Sequence, residues 1–569
     1  MPRDASPTPQ LTIAIGGYSA AGRKPQNQDF HGAATPSGAA LVLKGITLAV
    51  ADGISTSTTS AEAAETCVKS LLTDYYATPD PWTVQTAASR VIQATNAWLH
   101  RQNGSVDDIN AGRVCTLSAL ILKGRSAHIL HVGDSRIARL SGDSLEPLTT
   151  DHRVTLSASE NYLARGMGIS DQVDIDYRKI PLREGDIFLL TTDGIHDFVD
   201  GAVIRAAIGP DLDASARAIA DAALANGSDD NLTVQLARVD ILPQDAAALL
   251  DMSDLPVARL PEPGAMLDQY RIIRPIHSSA RSHVFLATAP DNTRVALKIP
   301  ARETADDPDY LKRFMLEEWI ARRVSSPHIL RVPPQGNRSA LYTVSEFVDG
   351  ITLRQWMTDN PQPRLDQMRG LIDQIAMGLR ALHRRDMIHQ DLRPENIMID
   401  DTGTLRIIDL GSVAVAGVEE AAPGLLGQLP GTFQYTAPEY LCGDPASWRS
   451  DQYALACIAY EMLTGRLPYG TRVARIRSRR DVARLTYATA RDDDNAVPAW
   501  LDGALRRALH PDPMRRYNAL SEFQMDLKRP GASLTRPVPL MQRNPLRFWQ
   551  GLSALLGLAC LILLFQLTN

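Results

Sequence analysis

The chain has 569 residues, 44% of them hydrophobic and 22% charged, with a formal net charge of -6. That length calls for roughly three or four folding units, and the composition excludes a disordered, collagen-like or multi-span membrane protein. The charge excludes the basic footprint of non-specific nucleic-acid binding. Five cysteines with no C-x-x-C pair argue against a disulfide framework or structural zinc site and for a reducing cytosolic compartment.

Residues 1–10 are polar and Pro-rich, read as a flexible N-terminus, and show no apolar signal-peptide stretch. Residues 11–240 open and close with β-type alternation around helical stretches at Ser60–Tyr76 and Trp82–Arg101, and read as one domain. Within it, aspartates recur at strand ends and turns: Asp29, Asp52, Asp134, Asp193 and Asp230. One such residue is ordinarily a turn former or helix cap. Five of them converge on one edge if the strands are neighbours. Carboxylates about 5 Å apart repel by ~3 kcal/mol per pair at an effective dielectric of about 20. Protonation or bound cations must relieve this, and an all-oxygen set selects magnesium or manganese. Two such ions can activate water and neutralise a phosphoryl group, with Arg23 able to fork onto its oxygens.

The order R-x-x-x-N-Q-D (Arg23 to Asp29), V-A-D-G (Val50 to Gly53), V-G-D-S-R (Val132 to Arg136), L-T-T-D-H (Leu148 to His152), T-T-D-G (Thr191 to Gly194) and D-N-L-T-V (Asp230 to Val234) resembles the type 2C metal-dependent protein serine/threonine phosphatases. The resemblance implies an α/β/β/α sandwich with two or three Mn²⁺ or Mg²⁺ ions. It implies that Asp52 bridges two ions, the Gly53 carbonyl ligates one, Asp193 and Asp230 complete the other, and Asp134 helps hold a weaker third. Asp29 then orients water and Arg23 binds phosphate. Ile54 stands where some members place a proton-donating His, so leaving-group protonation is expected from water.

Residues 241–265, dotted with Pro243, Pro256, Pro261 and Pro263, read as a linker. Residues 266–530 read as a second domain, strands first and helices after. Lys298 sits in the apolar run Val295 to Leu297, with Glu317 on an expected helix, Asp309 to Val324, as its partner. Then come Ile388 to Asn396, Ile407 to Gly411 and Ala437-Pro438-Glu439. Asp391, Asn396 and Asp409 supply a proton acceptor and oxygen ligands for magnesium, the parts that transfer from MgATP requires. The series resembles the eukaryotic-type protein kinases, which implies a bilobal fold. By that resemblance Lys298 binds the ATP phosphates and pairs with Glu317, Asp391 is the catalytic base, and Arg393 replaces the catalytic-loop lysine. Asn396 and Asp409 then bind Mg²⁺, Glu346 to Val348 form the adenine hinge, and Val284 and Ala296 line the adenine pocket.

Three departures stand out. The phosphate-loop glycines are replaced by His277, Ser279 and Ser282, and side chains there restrict close approach to phosphate. Gln390 replaces the arginine before the catalytic aspartate, and Val413 to Gly431 holds no Ser, Thr or Tyr. Together these imply a kinase that needs no loop phosphorylation. The expectation is a multidomain α+β protein with opposed kinase and phosphatase activities on protein Ser/Thr; the alternative is an active phosphatase regulated by a nucleotide-binding pseudokinase.

Residues 531–547 read as a juxtamembrane linker. From Phe548 to Leu567 twenty residues carry no Asp, Glu, Lys or Arg, enough at about 1.5 Å each to span ~30 Å as one transmembrane helix. Arg536, Arg543 and Arg547 precede it, so the positive-inside bias predicts a tail anchor in the inner membrane with both domains in the cytoplasm. Gly551 and Gly557 lack G-x-x-x-G spacing, and a homodimer through this helix stays open.

Overall fold

The structure, a computed structural model, describes residues 10–105, 111–142, 144–157, 160–243, 255–333, 336–424, 434–445, 447–491, 497–530, 548–553 and 555–557. The chain divides into two compact units. The first comprises Met1–Val348, Ala381–His389 and Ile408–Pro430, and the second Asp349–Arg380, Gln390–Ile407 and Gly431–Asn569.

The first unit starts with strands β1 (Thr12–Ala20) and β2 (Asp29–Ala34), helix α1 (Gly38–Lys44), strand β3 (Ile46–Asp52) and helices α2 (Ser60–Ala77) and α3 (Val84–Gln102). Strands β4 (Leu117–Lys123), β5 (Ser126–Val132), β6 (Arg136–Ser141), β7 (Ser144–Pro147), β8 (Arg153–Ser157), β9 (Glu160–Leu163), β10 (Asp176–Pro181) and β11 (Ile187–Thr191) follow. Helices α4 (Asp193–His196), α5 (Gly201–Ala207) and α6 (Leu212–Ala225) and strand β12 (Leu232–Ile241) complete this part. The strands form two five-stranded antiparallel sheets, β1-β12-β11-β6-β7 and β10-β5-β4-β3-β2. Strand β4 is buried at every position because both its faces are covered, which is why Ala119 to Leu122 reads as an unbroken apolar run. Leu48, Val50, Leu120 and Phe188 fill the space between the sheets. The small and apolar faces of α2 and α3 (Ala63, Ala64, Val68, Ala87, Ala88, Ile92) pack on the outer side of one sheet, and α6 packs on that of the other. The layering is α/β/β/α.

The same unit continues with the antiparallel sheet β13 (Met266–Leu267), β14 (Tyr270–Ser278), β15 (Ser282–Thr288), β16 (Arg294–Pro300) and β17 (Thr343–Glu346). Helix α7 (Pro308–Arg323) belongs to it. It starts where Asp307 accepts hydrogen bonds from the backbone N–H groups of Asp309 and Tyr310, with proline at the first helical position. The second unit is mainly helical, built around the Trp448–Thr464 helix, buried over most of its length.

The multidomain α+β expectation fits, but the C-terminal transmembrane helix does not. Among the described residues no helix is long and apolar enough to cross a membrane. The described residues there, 548–553 and 555–557, are helical. The rest of the expected 548–567 span lies outside the described residues, as do residues 1–9 and the linker 531–547. An apolar count measures transfer to hydrocarbon and does not establish an unbroken helix of spanning length.

Candidate active sites

Antiparallel pairing of β2 with β3 sets Asp29 directly opposite Asp52. Asp193 follows β11, and Asp230 precedes β12, the strand paired with β11. Gly194 makes this junction tight: a Cβ there would lie 2.0 Å from the Asn231 carbonyl oxygen. Asn231 then organises the loop before β2. Its Oδ1 accepts from Gln28 N at 2.8 Å, and its Nδ2 donates to the carbonyls of Ala21 and Gln26, both at 3.0 Å. Arg23 stands exposed on this loop. Asp52 is held by its own backbone, its N–H donating to Thr116 Oγ1 at 2.9 Å and its carbonyl accepting from Thr116 N at 2.8 Å.

The carboxylates sense one another. Burial raises Asp52 well above the carboxylate range, helped by the charges of Asp29, Asp193, Asp134 and Asp230. Burial pushes Asp29 up to about 6 against the hydrogen bond that Thr192 Oγ1 donates at 2.8 Å. Burial, then Asp134 and Asp230, push Asp193 up to about 7, with Arg153 opposing. Arg153 is the main cation here. Its Nε donates to Asp134 at 2.6 Å, its Nη2 to Asp193 at 2.9 Å and its Nη1 to Asp197 at 2.9 Å. Lys24 adds a second positive charge 3.4 Å from Asp230. Among the described residues no group of three or more His, Cys, Asp or Glu side chains is arranged to hold a metal ion, and Arg153 is drawn between two of the carboxylates instead. The donor chemistry still suits a hard divalent cation: every donor is oxygen, the carboxylates repel, and the buried Asp29 Oδ1 has no hydrogen-bond partner.

In the strand-rich part of the first unit, Lys298 Nζ lies 2.6 Å from Glu317 Oε2. Burial alone would lower the Lys298 ammonium, but the charges of Glu317 and Asp409 outweigh it and raise it. Asp409 Oδ1 accepts from Gly411 N at 3.0 Å. Ala296 and Lys298 share one face of β16, and Val284 pairs with Lys298 across β15. Glu346 pairs with Val295, and Val348 follows β17. The turn carrying the glycine replacements is closed by Ser279: its N and Oγ donate to the Ser282 carbonyl at 3.0 and 3.1 Å, and its Oγ accepts from Ser282 N at 3.2 Å.

In the second unit, Asn396 Nδ2 donates to the Asp391 carbonyl at 2.9 Å and to its Oδ2 at 3.1 Å. Gln390 adopts φ +66°, its N–H donating to Asp451 at 3.0 Å. Arg393 Nε contacts Glu395 at 3.0 Å. Glu439 meets the fully buried Arg516 in two hydrogen bonds, each 2.7 Å.

Residues 270–527 match the family described as protein kinase domain, and residues 16–234 match protein phosphatase 2C. The chain joins a protein phosphatase 2C domain to a protein kinase domain.

The kinase domain is similar to serine/threonine-protein kinase PrkC of Bacillus subtilis, 28% identical over 46% of this chain and 40% of that protein. It is also similar to serine/threonine-protein kinase PknB of Mycobacterium leprae, 31% identical over 41% of this chain and 38% of that protein. The chain thus spans less than half the length of these curated relatives. The phosphatase domain is similar to solved structures of PppA of Pseudomonas aeruginosa (23% identity, 40% of this chain, 99% of that one, TM-score 0.35) and the S. agalactiae serine/threonine phosphatase (24%, 40%, 100%, 0.36).

Sequence reasoning singled out the aspartates of the phosphatase domain but not Arg153, Lys24 or Thr192. Lys24 and Thr192 lie inside the motifs Arg23 to Asp29 and Thr191 to Gly194 and were within reach. Arg153 follows L-T-T-D-H directly, but nothing local says that its guanidinium returns to Asp134 and Asp193.

Proposed function

We propose that the chain is a bifunctional enzyme of reversible protein phosphorylation, removing phosphoryl groups from Ser/Thr side chains in one domain and transferring them from ATP in the other. The phosphatase half rests on five aspartates from separate strand ends that share one electrostatic environment. Asp52, the Gly53 carbonyl, Asp193 and Asp230 would hold two divalent cations, Mn²⁺ or Mg²⁺, with Asp134 at a third. Bound there, the ions supply activation of water and neutralisation of phosphoryl charge. Asp29, buried and with one free oxygen, orients the attacking water, and Arg23 forks onto the phosphoryl oxygens. Ile54 has no proton to give, so the leaving alkoxide takes its proton from solvent.

The kinase half rests on the formed Lys298–Glu317 pair with Asp409 beside it. Lys298 would steady the ATP phosphates, and Val284, Ala296 and the Glu346 to Val348 segment would line the adenine. Asp391 accepts the proton of the substrate hydroxyl, its carboxylate steadied by Asn396 Nδ2. Arg393 contributes positive charge, and Asn396 and Asp409 would hold magnesium. The pseudokinase alternative draws its support from the Ser279 turn, which closes the phosphate loop without glycine.

Incubation with labelled ATP, magnesium and a generic basic protein separates the two. Transfer by an Asp52→Asn chain that vanishes when Asp391→Asn is added supports the kinase; equal signal in both selects the pseudokinase. Hydrolysis of p-nitrophenyl phosphate that survives Asp193→Asn or excess EDTA would refute the phosphatase assignment.

A further inference from the structure

The segment joining α2 to α3 in the phosphatase domain touches three pieces of the kinase domain, all within the first unit. Arg323, the last residue of α7, places Nε and Nη2 2.9 Å from Asp80 Oδ2. Trp82 Nε1 donates to the Arg384 carbonyl at 2.9 Å. Gly417, eight positions after Asp409, donates its N–H to the Pro81 carbonyl at 2.8 Å, and a Cβ there would lie 2.6 Å from the Trp82 carbonyl oxygen.

Beside Gly417 is Glu420, whose side chain is 8% exposed. Its Oε2 accepts from the Val84 backbone N–H at 2.8 Å and from Lys123 Nζ at 3.0 Å. Lys123, at the end of β4, is wholly buried, and its ammonium also donates to the Gly417 carbonyl at 2.8 Å. The joining segment is itself anchored on its own domain, because Lys44 Nζ donates to Thr78 Oγ1 at 2.7 Å and to the Pro79 carbonyl at 2.9 Å.

A lysine with no exposed surface is rare unless paired, and here the pairing charge comes from the other domain. The carboxylate of Glu420 likewise finds its backbone donor and its cation there. The contact is therefore mutually completing: each of the two charged groups is covered, and has its counter-charge, on the other domain. What it grips is also specific. It holds the end of the helix that carries Glu317 and the segment that leaves Asp409, the two elements whose placement forms the Lys298–Glu317–Asp409 group. Activation segments are commonly ordered by a phosphate seated on basic side chains. The stretch Val413 to Gly431 has no hydroxyl to phosphorylate, and a carboxylate already sits on a lysine.

We propose that the phosphatase domain is a built-in brace for the kinase domain, with Glu420 seated on Lys123 in the place of an activating phosphate and Asp80 fixing the helix of Glu317 through Arg323. The proposal rests on the kinase reading above. Kinase turnover then depends on phosphatase-domain residues that take no part in phosphate hydrolysis.

The test uses the full chain in an Asp52→Asn background, so that product is not erased. Glu420→Gln lowers kinase turnover about tenfold and raises amide hydrogen exchange in 411–422. Asp80→Arg, at a pair about one-third exposed, lowers it about fivefold, and Asp80→Arg with Arg323→Asp restores at least half. With Asp52 intact, both single variants keep p-nitrophenyl phosphate hydrolysis within twofold. Kinase rates within twofold of the parent in both single variants, or rates above it, would overturn the brace while leaving the kinase standing. A swap that fails to rescue would overturn the role of Asp80. A parent with no transfer at all would overturn the kinase reading and the brace with it.

Discussion

Arg153 and Asp134 meet at 2.6 Å, and the same guanidinium reaches Asp193; under the proposed function a divalent cation would compete with this arginine for the two carboxylates. Removing the arginine has opposite consequences with and without metal. Arg153→Ala lowers the stability of the metal-free chain by on the order of 2 kcal/mol, because it strands mutually repelling carboxylates. Its thermal midpoint with Mn²⁺ present rises further above the metal-free value than that of the parent. Thermal unfolding with EDTA and with Mn²⁺ checks this, and equal metal-induced shifts in the two proteins would contradict it.

Gly194 is a packing requirement of the phosphatase site. An alanine there drives its Cβ to within 2.0 Å of the Asn231 carbonyl oxygen, which a backbone can relieve only by separating the Asp193 turn from the Asp230 turn. Gly194→Ala is expected to cost on the order of 3 kcal/mol and to reduce p-nitrophenyl phosphate hydrolysis at least a hundredfold, with ATP-dependent transfer affected far less. Hydrolysis near the parent rate would show that the two turns need not touch.

Lys298 and Glu317 form a charge pair that an uncharged isostere of the acid would break. Glu317→Gln is expected to lower kinase turnover about a hundredfold by freeing the ammonium from its phosphate-binding position, while p-nitrophenyl phosphate hydrolysis stays at the parent level. Steady-state rates of both reactions on one preparation provide the check.

His128 makes stability depend on pH. It is wholly buried with its Nδ1 2.8 Å from the Tyr177 hydroxyl. Burial, against the pull of Glu420 and with Lys179 and Lys123 assisting, lowers it to about 4. The folded value lies below the unfolded one of 6.5, so its stabilising contribution is complete above about pH 6.5 and is lost as the pH falls toward 4. The loss is on the order of 3 kcal/mol. His128→Gln should therefore lose less stability than the parent between pH 7 and pH 4.5 in thermal unfolding; parallel losses would count against the assignment.

Much of this protein was legible because its chemistry is carried by short, contiguous motifs. Aspartates at the ends of apolar runs, a lysine inside one, and Asp391 with Asn396 five positions later all lie where strand and loop geometry act over a few residues. Helix boundaries were close for the same reason: the helix expected from Asp309 to Val324 runs Pro308–Arg323, opened by an aspartate cap and a proline that act locally. The Phe548 to Leu567 span shows the limit of composition: it scores solubility in hydrocarbon, while among the described residues no helix is long and apolar enough to cross a membrane. The sequence by itself determined the two domain families and singled out the residues on which the proposed chemistry rests. Only the tertiary structure decided that Arg153 returns to Asp134 and Asp193, that Gly194 presses on Asn231, and that Lys123 is completed by Glu420, 297 positions away. Such pairings follow from where the packed sheets leave a charge without water, and a side chain buried in that way takes whatever counter-charge the fold brings within about 3 Å, however distant in the chain.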